Sequence, residues 1–202
     1  MEDIFDPQGF DLKGALEVVA RQGATSVPLL AKEYHPALLE EAQKLTYQPE
    51  PEVVGSGERV VRQQLATCES FPPGSLYLAL QASLQRSLEQ CLAESEPYPF
   101  ETPLRLDALS LQRYAAGSLG ITPHRDGLKY INLIVVVVIA GRGRFCVCAD
   151  RSGRGAREIA ADPGRAILMR APGFYGSQER PFHFVDWVTA DRWTFGMRQR
   201  RE

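Results

Sequence analysis

The chain has 202 residues, 44% of them hydrophobic and 24% charged, with a net charge of −2. That is ordinary for a soluble globular protein with ample apolar material for a core, and the length predicts one domain spanning residues 1–202. The longest apolar run, Ile131 to Ala140, is interrupted by Asn132 and is far shorter than the roughly 20 residues of a membrane helix, so no membrane partner is expected.

Residues 1–100 read as a mostly helical flanking part. Over Asp11–Gln22 the apolar positions Leu12, Ala15, Leu16, Val19 and Ala20 have helical spacing, and Gly23 predicts the stop. A second helix is predicted from His35-Pro36 to Leu45, with Leu38, Leu39, Ala42 and Leu45 on one side and Pro36 near its start. Pro49, Pro51, Gly55 and Gly57 predict a loop, and Glu58–Cys68 a strand. The longest helix is expected from Ser75 to Ala93, where Leu76, Leu80, Leu84, Leu88 and Leu92 recur every four residues. Glu94–Pro103, with Pro97, Pro99 and Pro103, reads as a connector.

From residue 101 the pattern changes to strands. Leu106, Ala108, Ser110, Gln112 and Tyr114 alternate with their neighbours until Gly117 and Gly120 break the run. Further strands are predicted at Ile131–Ala140, Arg144–Asp150, Ala166–Arg170, Phe182–Val188 and Arg192–Arg198. Turns are predicted at Gly141-Arg142-Gly143, Ser152-Gly153-Arg154-Gly155, Asp162-Pro163-Gly164, Pro172-Gly173 and Thr189-Ala190-Asp191. Short strands spaced by such turns point to a sandwich or barrel over residues 101–202.

Charge divides unevenly. Residues 1–100 hold 7 Lys/Arg against 15 Asp/Glu, and residues 101–202 hold 16 against 10. The split fits either an anionic partner for the second half or acidic surface helices against a basic sheet, the second being the commoner arrangement. Cys68, Cys91, Cys146 and Cys148 form no C-x-x-C pair, and Met1-Glu2-Asp3-Ile4 shows no secretory signal, so a reducing cytoplasm is expected.

His124-Arg125-Asp126 is the pattern that carries chemistry. In a strand, His124 and Asp126 face one way and Arg125 the other, so one ion can take both. His183, from a distant strand, would complete one face of an octahedron and leave the opposite positions open. Two His and one carboxylate in that arrangement suit non-haem Fe(II); the paired His four apart on a helix, usual for zinc hydrolases, is missing. The bland alternative for His183 is a satisfied core histidine. His35, before Pro36 at a helix start, reads as structural. Arg192, Thr194, Gly196 and Arg198 share one strand face, and the turn at Thr189-Ala190-Asp191 would put Arg192 on the strand neighbouring His183. An inward arginine in an apolar barrel needs an anion, and its planar fork suits a carboxylate. Phe174, Tyr175, Trp187 and Trp193 read as core or as the mouth of a site, core being commoner.

On these residues the chain resembles the Fe(II)/2-oxoglutarate-dependent dioxygenases. The matching stretches are Leu111–Gly117, His124-Arg-Asp126, Pro163–Met169, His183 and Arg192–Arg198, within residues 104–200. The Arg-x-x-x-x-x-Arg ending and the Tyr-x-x-Gly before the H-x-D resemble the AlkB branch, although Gln112 stands where that branch carries Asn. The short spacing from His183 to Arg192 is closer to prolyl hydroxylases. The resemblance implies a double-stranded β-helix (jelly-roll), mainly β, with N-terminal helices. It implies iron held by His124, Asp126 and His183, with O2 as oxidant. It also implies 2-oxoglutarate held by Arg192 at its distal carboxylate, with Arg198 near the metal-bound end and Tyr114, Thr194 and Gln112 beside it. The implied activity is hydroxylation of a C–H bond in a small-molecule or protein substrate. Oxidative nucleic-acid dealkylation is an alternative, motivated by arginines 142, 144, 151, 154 and 157 but set against a pI of about 6.0. A non-catalytic jelly-roll binding module is a third reading.

Overall fold

The computed structural model describes Phe5, residues 11–93 and residues 95–202; Glu94, the first residue of the predicted connector, lies outside them. Among the described residues three helices, α1 (Leu12–Gln22), α2 (His35–Lys44) and α3 (Leu76–Ala93), accompany eleven strands. In chain order these are β1 (Ala24–Pro28), β2 (Gln48–Pro49), β3 (Val53–Val54), β4 (Val61–Arg62), β5 (Ala66–Cys68), β6 (Ala108–Tyr114), β7 (Ile121–His124), β8 (Tyr130–Cys148), β9 (Arg157–Ile159), β10 (Arg165–Arg170) and β11 (Phe182–Arg200).

The helices form where the spacing predicts them, with identifiable ends. The Asp11 side chain accepts from the Gly14 N–H at 2.8 Å to start α1, and Gly23, at φ 81°, returns its N–H to Val19 to stop it. The carboxylate of Glu41 on α2 accepts from the Leu76 N–H at 2.9 Å, so one helix caps the next. Leu80, Leu84, Leu88 and Leu92 are all buried under α3.

The large sheet is antiparallel, in the order β1-β10-β8-β11-β6-β5-β2, with β7 on β11 and β9 on β8. It therefore recruits β1, β2 and β5 from the part read as mostly helical. The predicted strand Glu58–Cys68 is divided into β4, which pairs with β3 in a small hairpin, and β5, which joins the large sheet.

Two predicted turns are absent. Ile131–Ala140 and Arg144–Asp150 are one strand, β8, running through Gly141-Arg142-Gly143; His183 and Arg192 likewise share one strand, β11, running through Thr189-Ala190-Asp191. The two long strands pair with each other along their lengths, and register shifts between Asp186 and Thr194 absorb the bend. The first half of β8 pairs with β10 and its end with β9, while the end of β11 pairs with β6 and its start with β7. Each strand thus serves both layers of a jelly-roll without a turn.

The near-continuous apolar run of β8 is explained by burial on both faces. Leu133, Val135, Val137 and Ile139 pack with the helices, whereas Ile134, Val136 and Val138 line the interior with Phe145, Val147 and Val185. The same alternation in β11 sends Trp193, Phe195 and Met197 towards the helices and Arg192 and Thr194 inward.

Candidate metal and anion site

The interior face of β6, β7, β8 and β11 brings the expected residues together. Gln112, Tyr114, His124, His183, Arg192, Thr194 and Arg198 line one narrow cavity with Ile121, Val136, Phe145 and Val185. His124 ends β7 and pairs across to His183 on β11; Asp126 lies in the loop beyond β7, not in a strand as expected, yet it reaches both histidines. Its Oδ1 is 3.8 Å from His124 Nε2 and 3.5 Å from His183 Nε2. Ligand-capable atoms of the three residues all lie within 4.8 Å of one another. Among the described residues this is the one such grouping of three or more His, Cys, Asp or Glu.

Backbone carbonyls set the imidazoles. His124 Nδ1 lies 2.9 Å from the Thr122 oxygen and His183 Nδ1 lies 3.4 Å from the Pro181 oxygen. With those nitrogens donating, both Nε2 lone pairs face Asp126, the second-neighbour pattern of a metal-ligating histidine. Burial, then the neighbouring His183, pushes His124 down to about 4, so at neutral pH it is an uncharged donor. Phe145 stacks on the His183 ring at 5.7 Å.

Asp126 is split between two tasks. Its Oδ2 accepts from Arg198 Nε at 2.6 Å, which leaves Oδ1 for the histidine side. Burial alone would raise this carboxyl, but Arg198 and then the two histidines outweigh it and hold it well below the usual range. Burial would likewise lower Arg198, and Asp126 overrides it. The Arg180 guanidinium donates to the Asp126 carbonyl and so anchors the loop.

Arg192 is the opposite case. It is 1% exposed, and its Nε and Nη2 have no hydrogen-bond partner. Its guanidinium carbon lies over the Tyr114 ring, 5.7 Å from the centroid. Burial depresses its pKa. Beside it, Thr194 Oγ1 and the Tyr114 hydroxyl donate to Gln112 Oε1 at 3.2 and 3.4 Å. The cavity is therefore lined both by the two histidines that Asp126 approaches and by an uncompensated cation, a layout complementary to a metal ion plus an anion.

Sequence reasoning missed the carbonyl anchors, Arg180, and Phe145 as a wall. The strand around Phe145 was predicted, but nothing in its pattern separates a site wall from core. Of the four aromatics read as core or mouth, Phe174 and Trp193 are buried in the core, while Tyr175 and Trp187 are exposed. His35 sits against the Gly164 turn, away from the cluster.

No family model matches the chain, and no curated protein matches it. Solved structures do. A prolyl hydroxylase from Trichoplax adhaerens, in complex with a hypoxia inducible factor oxygen degradation domain peptide fragment, is similar with a TM-score of 0.68 at 12% identity, over 91% of this chain and 86% of that one. A 2OG-Fe(II) oxygenase family oxidoreductase from Burkholderia pseudomallei gives 0.67 at 14% identity, over 100% and 96%. HygX from Streptomyces hygroscopicus, with nickel and 2-oxoglutarate bound, gives 0.62 at 13% identity, over 94% and 86%. At such identities the likeness establishes the fold alone: this chain has the jelly-roll architecture seen in these oxygenase structures.

Proposed function

We propose that this protein is a non-haem Fe(II)- and 2-oxoglutarate-dependent oxygenase that hydroxylates a C–H bond of a small-molecule or protein substrate. His124, Asp126 and His183 would hold the iron. Arg192 would hold the distal carboxylate of 2-oxoglutarate, beside Thr194, Tyr114 and Gln112, with Arg198 at the metal end. The observation that carries this reading is the orphaned guanidinium of Arg192, sharing one cavity with the two histidines of the two-histidine, one-carboxylate cluster. A buried unpaired cation is costly, and a carboxylate offsets that cost with two charge-assisted hydrogen bonds.

When bound, iron and 2-oxoglutarate would supply the redox chemistry, with O2 as the oxidant and 2-oxoglutarate as the co-substrate that is oxidised to succinate and CO2. The chain's own residues hold and orient. The Thr122 and Pro181 carbonyls fix the imidazole tautomers, Arg198 turns one oxygen of Asp126 to the histidines, and Phe145, Val136 and Val185 restrict water. A prolyl hydroxylase of the same fold carries a peptide fragment, which supports a protein substrate alongside a small one. Nucleic acid is disfavoured: of the five arginines that suggested it, Arg144 is paired to Asp186 at 2.6 Å and Arg154 to Asp150 at 3.1 Å. The four cysteines are free, and no helix among the described residues is long and apolar enough to cross a membrane; the proposed location is the cytoplasm.

Anaerobic titration of Fe(II) and 2-oxoglutarate into the metal-free protein tests the proposal. The visible charge-transfer band of chelated 2-oxoglutarate is expected in the wild type and absent in His183→Ala. No band with iron loading confirmed would favour the non-catalytic binding module.

A further inference from the structure

The rim beside the site carries more positive charge than the chain neutralises. An open groove of about 660 Å3 gathers Arg125, Arg157, Arg170 and Arg180 around Phe182. It adjoins the candidate ligands directly: Arg125 lies between His124 and Asp126, Phe182 precedes His183, and Arg180 donates to the Asp126 carbonyl. Glu179 is the one carboxylate in that lining, and Arg170 takes it. Among the described residues Arg125, Arg157 and Arg180 form no ion pair. Arg125 stacks 4.0 Å above the Phe182 ring and Arg151 approaches the same ring at 5.6 Å. Stacking on the ring restrains a planar donor fork at the edge of the groove.

We infer that this groove binds a compact anionic group, a carboxylate or a phosphate, on the substrate presented to the metal site. Calling the occupant a substrate rests on the oxygenase reading; the anion site itself does not. The group is compact because much of the charge around the groove is already taken: Arg144 and Arg154 are paired with Asp186 and Asp150, and Arg170 with Glu179, which shortens the track that a nucleic-acid backbone would follow. The site is separate from the Arg192 cavity, which shares no lining residue with the groove.

Calorimetric titration with phosphoserine and with N-acetylglutamate tests the inference, repeated on Arg192→Met so that binding in the Arg192 cavity is recognised and not counted. One of the two probes is expected to bind, identifying phosphate or carboxylate. Losing one charge-assisted contact costs about ten-fold or more in affinity, so Arg125→Ala should weaken that probe by at least this factor. Arg125 is exposed and its removal leaves the fold alone; Arg180→Lys, which keeps charge but not the fork, should weaken binding less than Arg180→Ala. Equal affinity in wild type and Arg125→Ala, or no binding of either probe, overturns the inference. So does tighter binding of a single-stranded oligonucleotide with a steep salt dependence. The charge-transfer band is recorded on the same wild-type sample. A band without probe binding removes the groove and keeps the oxygenase; Arg125-dependent binding without a band does the reverse.

Discussion

Arg192 sets stability against binding. Its guanidinium is held away from water with two nitrogens unpartnered, so in the ligand-free protein it is a cost with no local return. Arg192→Met is expected to leave the metal-free protein at least as stable as wild type in urea denaturation, and to weaken 2-oxoglutarate binding by about 100-fold, the worth of a lost bidentate pair. A Met variant that is less stable yet binds normally would make Arg192 structural. Asp126 behaves oppositely, because its carboxylate is what balances buried Arg198. Asp126→Ala should abolish metal binding and also destabilise the metal-free fold by about 3–5 kcal/mol, by leaving Arg198 unpaired; wild-type iron binding in that variant would sink the ligand assignment. His124 adds a pH dependence. Its pKa is pushed from 6.5 to about 4 by burial and by His183. Between those values the unfolded chain takes up a proton that the folded chain refuses. The stabilisation is therefore complete above pH 6.5 and is lost as the pH falls towards 4, by a few kcal/mol. Asp126 acts below that window. Urea midpoints of metal-free wild type should fall across it, and His124→Gln should flatten the fall.

At the scale of elements, the paired long strands β8 and β11 build the site. His183 and Arg192 lie on one strand, nine positions apart, and both line one cavity because the register shifts in the bend between them turn both side chains inward. The bend depends on Gly141, at φ 87°, where an added Cβ would come within 1.9 Å of the Asp191 carbonyl oxygen on the opposing strand. Gly141→Ala is expected to cost more than about 1 kcal/mol, from both the left-handed backbone and the collision. Because Asp191 is next to Arg192, the variant should weaken 2-oxoglutarate binding as well; a denaturation curve and affinity matching wild type would show that the crossing is slack. This region also marks the limit of what the sequence discloses. Gly-x-Gly and Thr-Ala-Asp are local turn signals, and only the partner strand reveals that the chain stays extended and spends those residues on bulges. Where burial alone decides, the reading is direct: the period-four leucines of α3 and the two-faced apolar run of β8 are visible in the pattern. The candidate ligands were legible because three histidines leave few combinations. Arg125 and Arg180 were not, since a groove formed by β8, β9, β10 and the loop before β11 has no signature in any one of them.

For the whole molecule, the helices and the jelly-roll are tied by a shared core, and the ligands should be linked to its stability. Leu84, Leu88 and Leu92 of α3 pack in one cluster with Leu133, Val135, Phe195 and Met197 of the sheet. The opposite faces of those same strands line the interior, with Val136 and Thr194 at the cavity. Whatever holds β8 and β11 together from inside therefore strengthens the surface on which the helices rest. A ligand that binds only the folded chain adds about 2.7 kcal/mol at a hundred times its dissociation constant. For a chain of about 200 residues, 1 kcal/mol shifts the melting temperature by roughly 2–4 °C. Anaerobic Fe(II) with 2-oxoglutarate, each at that excess, should thus raise the melting temperature by roughly 10–20 °C, and chelator should reverse it. Arg192→Met should keep the metal's share and lose the co-substrate's, whereas His183→Ala should lose the metal's. Equal melting temperatures with and without metal and 2-oxoglutarate would mean that the cavity, despite its donors, does not take them.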